Sequence, residues 1–187
     1  SNTPNSWYYS KKMLYQTIKK NVESEGFTVL SDGLIMDDIN DYRPGVKARN
    51  EEGVRSLLQE AGLYKSEIRE LAKRAGVTNW NKTPSCSLAS RFPYGTRITP
   101  EKVEAVLKAE EYFTKRGFEP VRVRVHQDLA RIEVGADQIE KLVKNHEEIN
   151  KMMQDLGFLF VTVDLQGYKY GRMNDQLDEK TKKAAVE

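Results

Sequence analysis

Cysteine is almost absent: the 187 residues contain one, Cys86. A lone thiol excludes an internal disulfide and any metal centre held by several thiolates. A reducing, cytoplasmic setting is the expectation that follows. Histidine is nearly as scarce. His126 and His146 stand too far apart to show a ligand spacing, so both read as surface residues. Two tryptophans occur, Trp7 and Trp80, and packing is their default role. Excess charge is missing as well. Lys and Arg number 30 against 28 Asp and Glu, leaving +2, without the basic concentration that marks a nucleic-acid or membrane binder. The longest apolar run, residues 156–163, falls far short of the ~20 residues that a bilayer-spanning helix needs. No basic stretch precedes an apolar one, so no export signal is visible. Repeats and low-complexity tracts are lacking. What is there, 39% hydrophobic and 31% charged, suits one ordinary domain or two small ones with a wet surface.

The first half alternates helix and strand. Met13, Leu14, Ile18 and Val22 recur at helical spacing over residues 8–23, and Gly26 ends that helix. Residues 27–30 predict a short apolar strand, stopped by Ser31-Asp32-Gly33. A loop with Asp37, Asp38 and Asp41 follows, then Arg43-Pro44-Gly45, and Leu57-Leu58 begins the next unit. Residues 66–74 read as a helix with Ile68, Leu71 and Ala72 inward and Gly76 as its stop. Such alternation predicts an α/β, doubly wound part with a parallel sheet and crossover helices.

Near Thr99 the character changes. Thr99-Pro100-Glu101 joins a cap, a first-turn proline and an acid. The helix they start carries Val103, Val106, Leu107 and Phe113 inward and ends at Gly117. Residues 121–125 alternate strictly, with Val121, Val123 and Val125 on one face and Arg122, Arg124 and His126 on the other. Residues 130–134 alternate again and put Arg131 and Glu133 on one face, so the short link between the two runs predicts an antiparallel hairpin. A helix over 137–156 and a strand over 158–163 complete a smaller α+β part, and the charged tail after Asp175 is expected to fray. The boundary between the two parts falls at about residue 98.

Three groups of residues invite chemistry. Cys86 lies in Pro84-Ser85-Cys86-Ser87-Leu88-Ala89-Ser90-Arg91. A free cysteine is usually a small buried hydrophobe. Three serines with Lys82 and Arg91 describe instead a polar loop where cations favour a thiolate nucleophile. Arg122 and Arg124 face the same way on one strand. They form either a solvated face paired with Glu133 and Arg131, worth roughly 0–1 kcal/mol per pair, or a two-arginine clamp on a phosphate. Gly33 follows a strand end, where open α/β sheets bind ligands. Asp37, Asp38 and Asp41 hold ribose or magnesium in that reading, and form a plain turn in the other.

Taken together, these segments resemble one known family. Ser31-Asp32-Gly33 with Asp37-Asp38 and Asp41-Tyr42-Arg43-Pro44-Gly45 is similar to its second block, and Lys65-Ser66-Glu67-Ile68-Arg69-Glu70-Leu71-Ala72 to a helix shared by many PP-loop enzymes. The most specific block is Cys86-Ser87-Leu88-Ala89-Ser90-Arg91-Phe92-Pro93-Tyr94-Gly95-Thr96, and the hairpin also fits. The chain resembles, over nearly its whole length, the LarE family of sulfur transferases, which build the nickel-pincer nucleotide cofactor of lactate racemase. The resemblance implies a Rossmann-like PP-loop domain, of the adenine nucleotide alpha hydrolase type, followed by a small α+β domain. It implies ATP with magnesium as cofactors, a pyridinium mononucleotide substrate, and a symmetric homo-oligomer with a hexamer as one form. Its chemistry is adenylation of a substrate carboxylate, attack by a thiolate, and cleavage of the cysteine Cβ–S bond to leave a thiocarboxylate and dehydroalanine. Carried over residue by residue, Cys86 is the donor; Ser90, Arg122 and Arg124 hold the substrate phosphate; Lys11, Gly33 and Asp38 lie near the nucleotide; Trp7 and Glu133 line the substrate pocket.

Three departures qualify the resemblance. Trp7-Tyr8-Tyr9-Ser10 stands where many relatives have Cys-Tyr-Tyr-Cys, so no iron–sulfur cluster is expected and a sacrificial cysteine is. Tyr64 replaces a capping threonine, a loss of about 1 kcal/mol. The family's glycine-rich phosphate loop, Ser-Gly-Gly-x-Asp-Ser, lies upstream of the position that Ser1 matches. Residues 1–98 are therefore expected to form the C-terminal part of the PP-loop domain, and 99–187 a substrate-binding and oligomerisation domain. The competing readings are a tRNA-thiolating PP-loop enzyme, which the near-neutral charge opposes, and a non-catalytic nucleotide-binding module.

Overall fold

The computed structural model describes residues 2–39, 43–83, 85–169, 171–172, 174 and 177–178. Asp41, Pro84 and most of the tail expected to fray lie outside the described residues. The chain forms two compact units: residues 4–82 with 177–178, and residues 2–3 with 83–174.

In the first unit, α1 (Ser6–Glu23), α2 (Pro44–Glu51), α3 (Leu57–Glu60) and α4 (Lys65–Arg74) are joined by turns. Gly26, at φ +84°, ends the α1 segment as expected. Half of the stripe expected on α1 turns inward: Ile18 and Val22 are half-buried, while Met13 and Leu14 are exposed and Tyr15 is buried. Its hydroxyl donates to Asp32 Oδ2 at 2.7 Å. Ser56 donates to the other Asp32 oxygen, and Arg49 Nη1 donates to Ser56 Oγ at 2.8 Å. This node gathers α1, α2 and the turn before α3 on one carboxylate. Burial, then the Asp32 hydrogen bond and charge, pushes the Tyr15 hydroxyl well above its ordinary range.

The expected strand over 27–30 is an extended segment. Its one ladder contact is a parallel bridge between Ser31 and Arg55, and Phe27 and Val29 are exposed. Among the described residues this bridge is all that is seen in this unit of the parallel sheet expected here. The missing threonine cap of α4 is replaced from elsewhere. Glu67 accepts the Tyr64 N–H and Asp37 accepts the Lys65 N–H, each at 2.8 Å. Leu71, expected inward, is exposed.

The second unit holds the apolar core. α5 (Pro100–Lys115) starts where Thr99 Oγ1 accepts the Lys102 N–H, and it buries Val106, Ala109 and Phe113. β1 (Val121–His126) and β2 (Leu129–Val134) form the expected antiparallel hairpin around Gln127-Asp128. β3 (Phe160–Val163) pairs parallel to β2, giving a mixed sheet in the order β1-β2-β3. The helix expected over 137–156 is two, α6 (Ile139–Lys144) and α7 (His146–Asp155). They part at Asn145, whose side-chain amide donates to the Lys141 carbonyl and competes with the backbone for that acceptor. Val121, Val123, Val125, Ala130, Ile132 and Val134 pack with Phe92, Phe113, Phe118, Leu142, Ile149 and Met153. The segment 83–98 belongs to this unit, and Phe92 is 1% exposed within its core. Among the described residues no helix is long and apolar enough to cross a membrane.

Candidate functional site

The segment after Cys86 is built as one tight turn. Ser87 Oγ accepts the Ala89 N–H and starts a 3₁₀ turn over Leu88–Arg91. Asn2 pins that turn: its side-chain amide donates to the carbonyls of Ala89 at 3.1 Å and Phe92 at 2.8 Å. Cys86 itself is exposed, which fits the polar-loop reading and not the buried-hydrophobe one. Arg91 was expected to serve the thiol, but it is 3% exposed and bidentate to Glu110, at 2.7 and 2.9 Å. Its remaining nitrogen donates to Ser90 Oγ at 2.7 Å. Glu110 Oε1 also accepts the Val123 N–H at 2.9 Å, which ties α5 to the free edge of β1.

The polar sheet face is not the solvated surface that alternation alone allows. Glu133 is fully buried and Arg122 is 8% exposed. Arg124 donates Nε and Nη2 to Glu133 Oε2 at 3.1 and 2.9 Å, and Arg131 donates to Oε1 at 3.1 Å. Arg124 Nη1 reaches up to the Ser90 carbonyl at 2.8 Å. Past β3, Asp164 accepts from Arg172 at 2.5 Å and lies 3.4 Å from Arg131 Nε. The carboxylates are thus shared, Glu133 between Arg124 and Arg131, Asp164 between Arg131 and Arg172. Gly167 makes the closing turn possible. At φ +69°, a side chain there would meet the Val134 carbonyl at 2.8 Å. That contact lets Tyr168 N–H bond Val134 O at 2.7 Å and brings the Tyr168 ring 5.1 Å from the Arg122 guanidinium.

A small, half-open cleft of about 20 Å³ results, lined by Ser90, Arg91, Phe92, Pro93, Arg124, His126, Arg131 and Arg172. The structure brings together Ser90, Arg124 and Glu133 from the sequence expectation, while Arg122 lies on the same face but outside the cleft lining. It adds His126, which is no surface residue, together with Arg131, Arg172 and Asp164. Period-two alternation carried the signal for His126 and Arg131. No pattern marked Arg172.

Lys11, Gly33, Asp38 and Trp7 belong to the first unit. The Lys11 ammonium sits 5.4 Å from the Tyr15 ring centre, and its stem packs against Gly45. Gly33 borders open space. Trp7 is half-buried on α1. Asp38 is committed locally: one oxygen accepts the Ile35 N–H at 3.1 Å and the other pairs with Arg43 at 2.7 Å. Asp37 Oδ2 caps α4, and among the described residues no group of three or more carboxylates, histidines or cysteines is gathered as a metal site.

No family model matches the chain. It is 50% identical over 95% of its length to the pyridinium-3,5-bisthiocarboxylic acid mononucleotide synthase of Lactiplantibacillus plantarum. It is 40% identical over 93% of its length to an uncharacterised protein of Synechocystis, and 31% over 90% to one of Methanocaldococcus jannaschii. The chain spans 64% of the first relative's length and 66% of each of the other two. Half identity along almost the whole chain places it in the LarE family.

Proposed function

We propose that this chain carries the thiol and the substrate-phosphate cleft of an ATP-dependent sulfur transferase acting on a pyridinium biscarboxylate mononucleotide. The observation that carries the reading is the placement of the one cysteine. Cys86 is exposed and lies four residues ahead of Ser90, on the segment that walls an arginine cleft. Four residues span at most about 14 Å, so a substrate anchored by its phosphate at the cleft stays within reach of the thiol. Arg124 supplies charge-assisted donors there, and Ser90 adds a hydroxyl that keeps a proton to donate after accepting from Arg91. Glu133 holds both Arg124 and Arg131 in orientation from below. Arg122, on the same face but outside the cleft lining, is the remaining member of the phosphate set that the resemblance implies.

The chemistry balances without a second thiol. ATP activates a substrate carboxylate as the acyl-adenylate and releases pyrophosphate. The Cys86 thiolate displaces AMP and forms a thioester. Loss of the Cys86 Cα proton to a base and cleavage of Cβ–S leave the sulfur on the substrate as a thiocarboxylate, and dehydroalanine in the chain. Adenylation belongs to the full-length protein, in a Rossmann-like PP-loop domain near Lys11, Gly33 and Trp7. The parallel bridge between Ser31 and Arg55, alongside helices α1 and α2, supports that fold reading. The expected outcome for the full-length protein with ATP and substrate is release of pyrophosphate, measured by a coupled assay. Release of orthophosphate alone would rule out adenylation.

A further inference from the structure

Two buried side-chain nitrogens lack a hydrogen-bond partner among the described residues, His126 Nε2 and Arg131 Nε. Both residues line the same cleft. Buried polar atoms are rarely left unpaired, so a nitrogen without a partner in this cleft asks what pairs with it. Arg131 Nε already has the Asp164 carboxylate 3.4 Å away as its counter-charge, so His126 Nε2 is the atom left without a partner group. Imidazole Nε2 donates or accepts, and the surrounding charge decides which. On the sheet it faces Arg124, Arg131 and Glu133; the turn above supplies Ser90 and Arg91, the latter paired with Glu110; the segment after β3 supplies Arg172, bonded to Asp164. Burial, and then the Arg131 charge, lowers the His126 pKa from its ordinary value. Glu133 opposes this and Arg124 adds to it. Without an anion in the cleft, these surroundings bias the imidazole toward its neutral form. A bound anion offsets the arginine charge and supplies an acceptor for His126 Nε2.

We propose that His126 is an anion-contacting residue of this cleft, taking up one proton from solvent as a doubly charged phosphate group enters and donating Nε2–H to it. The inference rests on the reading of the cleft as the substrate-phosphate site. No covalent bond of the ligand changes. The sign follows from linkage: the bound state holds one more proton than the free state between the two His126 pKa values. Affinity is highest at low pH and falls by up to about tenfold per pH unit across that window.

Sulfate tests this without confusion, because it stays a dianion across the range where phosphate itself titrates. The chain has two histidines, and exposed His146 serves as an internal control. Proton NMR of both imidazoles is followed between pH 5 and 9 with and without saturating sodium sulfate, beside calorimetric sulfate affinities for the wild type and His126→Gln. The proposal expects the His126 midpoint to move up with sulfate, His146 to stay, and wild-type affinity to fall with pH while the variant's stays flat. Sulfate binding with the His126 midpoint unmoved overturns the inference and leaves the cleft reading intact. No binding of sulfate or inorganic phosphate at any pH overturns both.

Discussion

Arg124 donates twice to Glu133 and once to the Ser90 carbonyl, so its removal acts on binding and on folding together. A lost charge-assisted bond costs about 1.5–3 kcal/mol of substrate affinity. Glu133 is fully buried, and stripping a partner from a buried ion pair costs roughly 3–5 kcal/mol. Arg124→Ala is therefore expected to weaken mononucleotide binding by more than tenfold and to lower the melting temperature, read by calorimetry and thermal denaturation. An unchanged melting temperature would return this face to the solvated surface that its alternation equally allowed. The residues that alternate were legible in the sequence: Arg124, His126, Arg131 and Glu133 were each placed on the right face. Their burial was not, because it depends on what lies above the sheet. The covering residues come from the turn after Ser87 and the segment after β3, far away in sequence. Arg91 shows the same limit. Beside Cys86 it reads as a cation for the thiol, yet Glu110, on the next helix, claims it.

At the scale of elements, the segment after β3 closes the cleft through Gly167 and Asp164. A β-carbon at position 167 would crowd the Val134 carbonyl, and the residue's φ of +69° costs an L side chain about 1–2 kcal/mol in addition. Gly167→Ala is expected to displace Tyr168 and Arg172 and to weaken anion binding several-fold, with β1 and β2 intact in amide exchange. Wild-type affinity in this variant would show that the segment does not shape the cleft. Asp164 adds a pH dependence. Burial works to raise its carboxyl, but the Gln166 N–H, then Arg172 and Arg131, outweigh burial and hold it below the ordinary carboxylate range. Its contribution to stability is fully present above the unfolded value, about 3.9, and is lost as pH falls through the folded one. Asp164→Asn is expected to lose that contribution at neutral pH and to show a flatter fall in melting temperature below about pH 4. Identical acid limbs in the two proteins would contradict this. The hairpin, the Thr99 start and the α4 helix were legible because short-range patterns specify them. The break at Asn145 was not, since its cause is one side-chain bond to Lys141.

The whole molecule divides its assets unevenly. The unit with residues 83–174 has the sheet, the apolar core, the cleft and Cys86, while the unit with 4–82 is gathered on Asp32 and leaves Met13, Leu14, Phe27 and Val29 exposed. The change of character at Thr99 was visible in the sequence, but the compact units part at residue 82, because Phe92 and Arg91 anchor the cysteine segment to the core that follows. On the proposed reading Cys86 gives up one sulfur per chain, so two sulfurs per product require two chains. Cys86→Ala should leave the cleft able to bind anions and abolish sulfur transfer. The most direct measurement is tandem mass spectrometry of the peptide containing Cys86, taken from full-length protein after reaction with ATP and the biscarboxylate mononucleotide. The account predicts dehydroalanine at position 86, formed in equal amount to the sulfur transferred. An intact Cys86 after many turnovers, with no other sulfur source present, would contradict it.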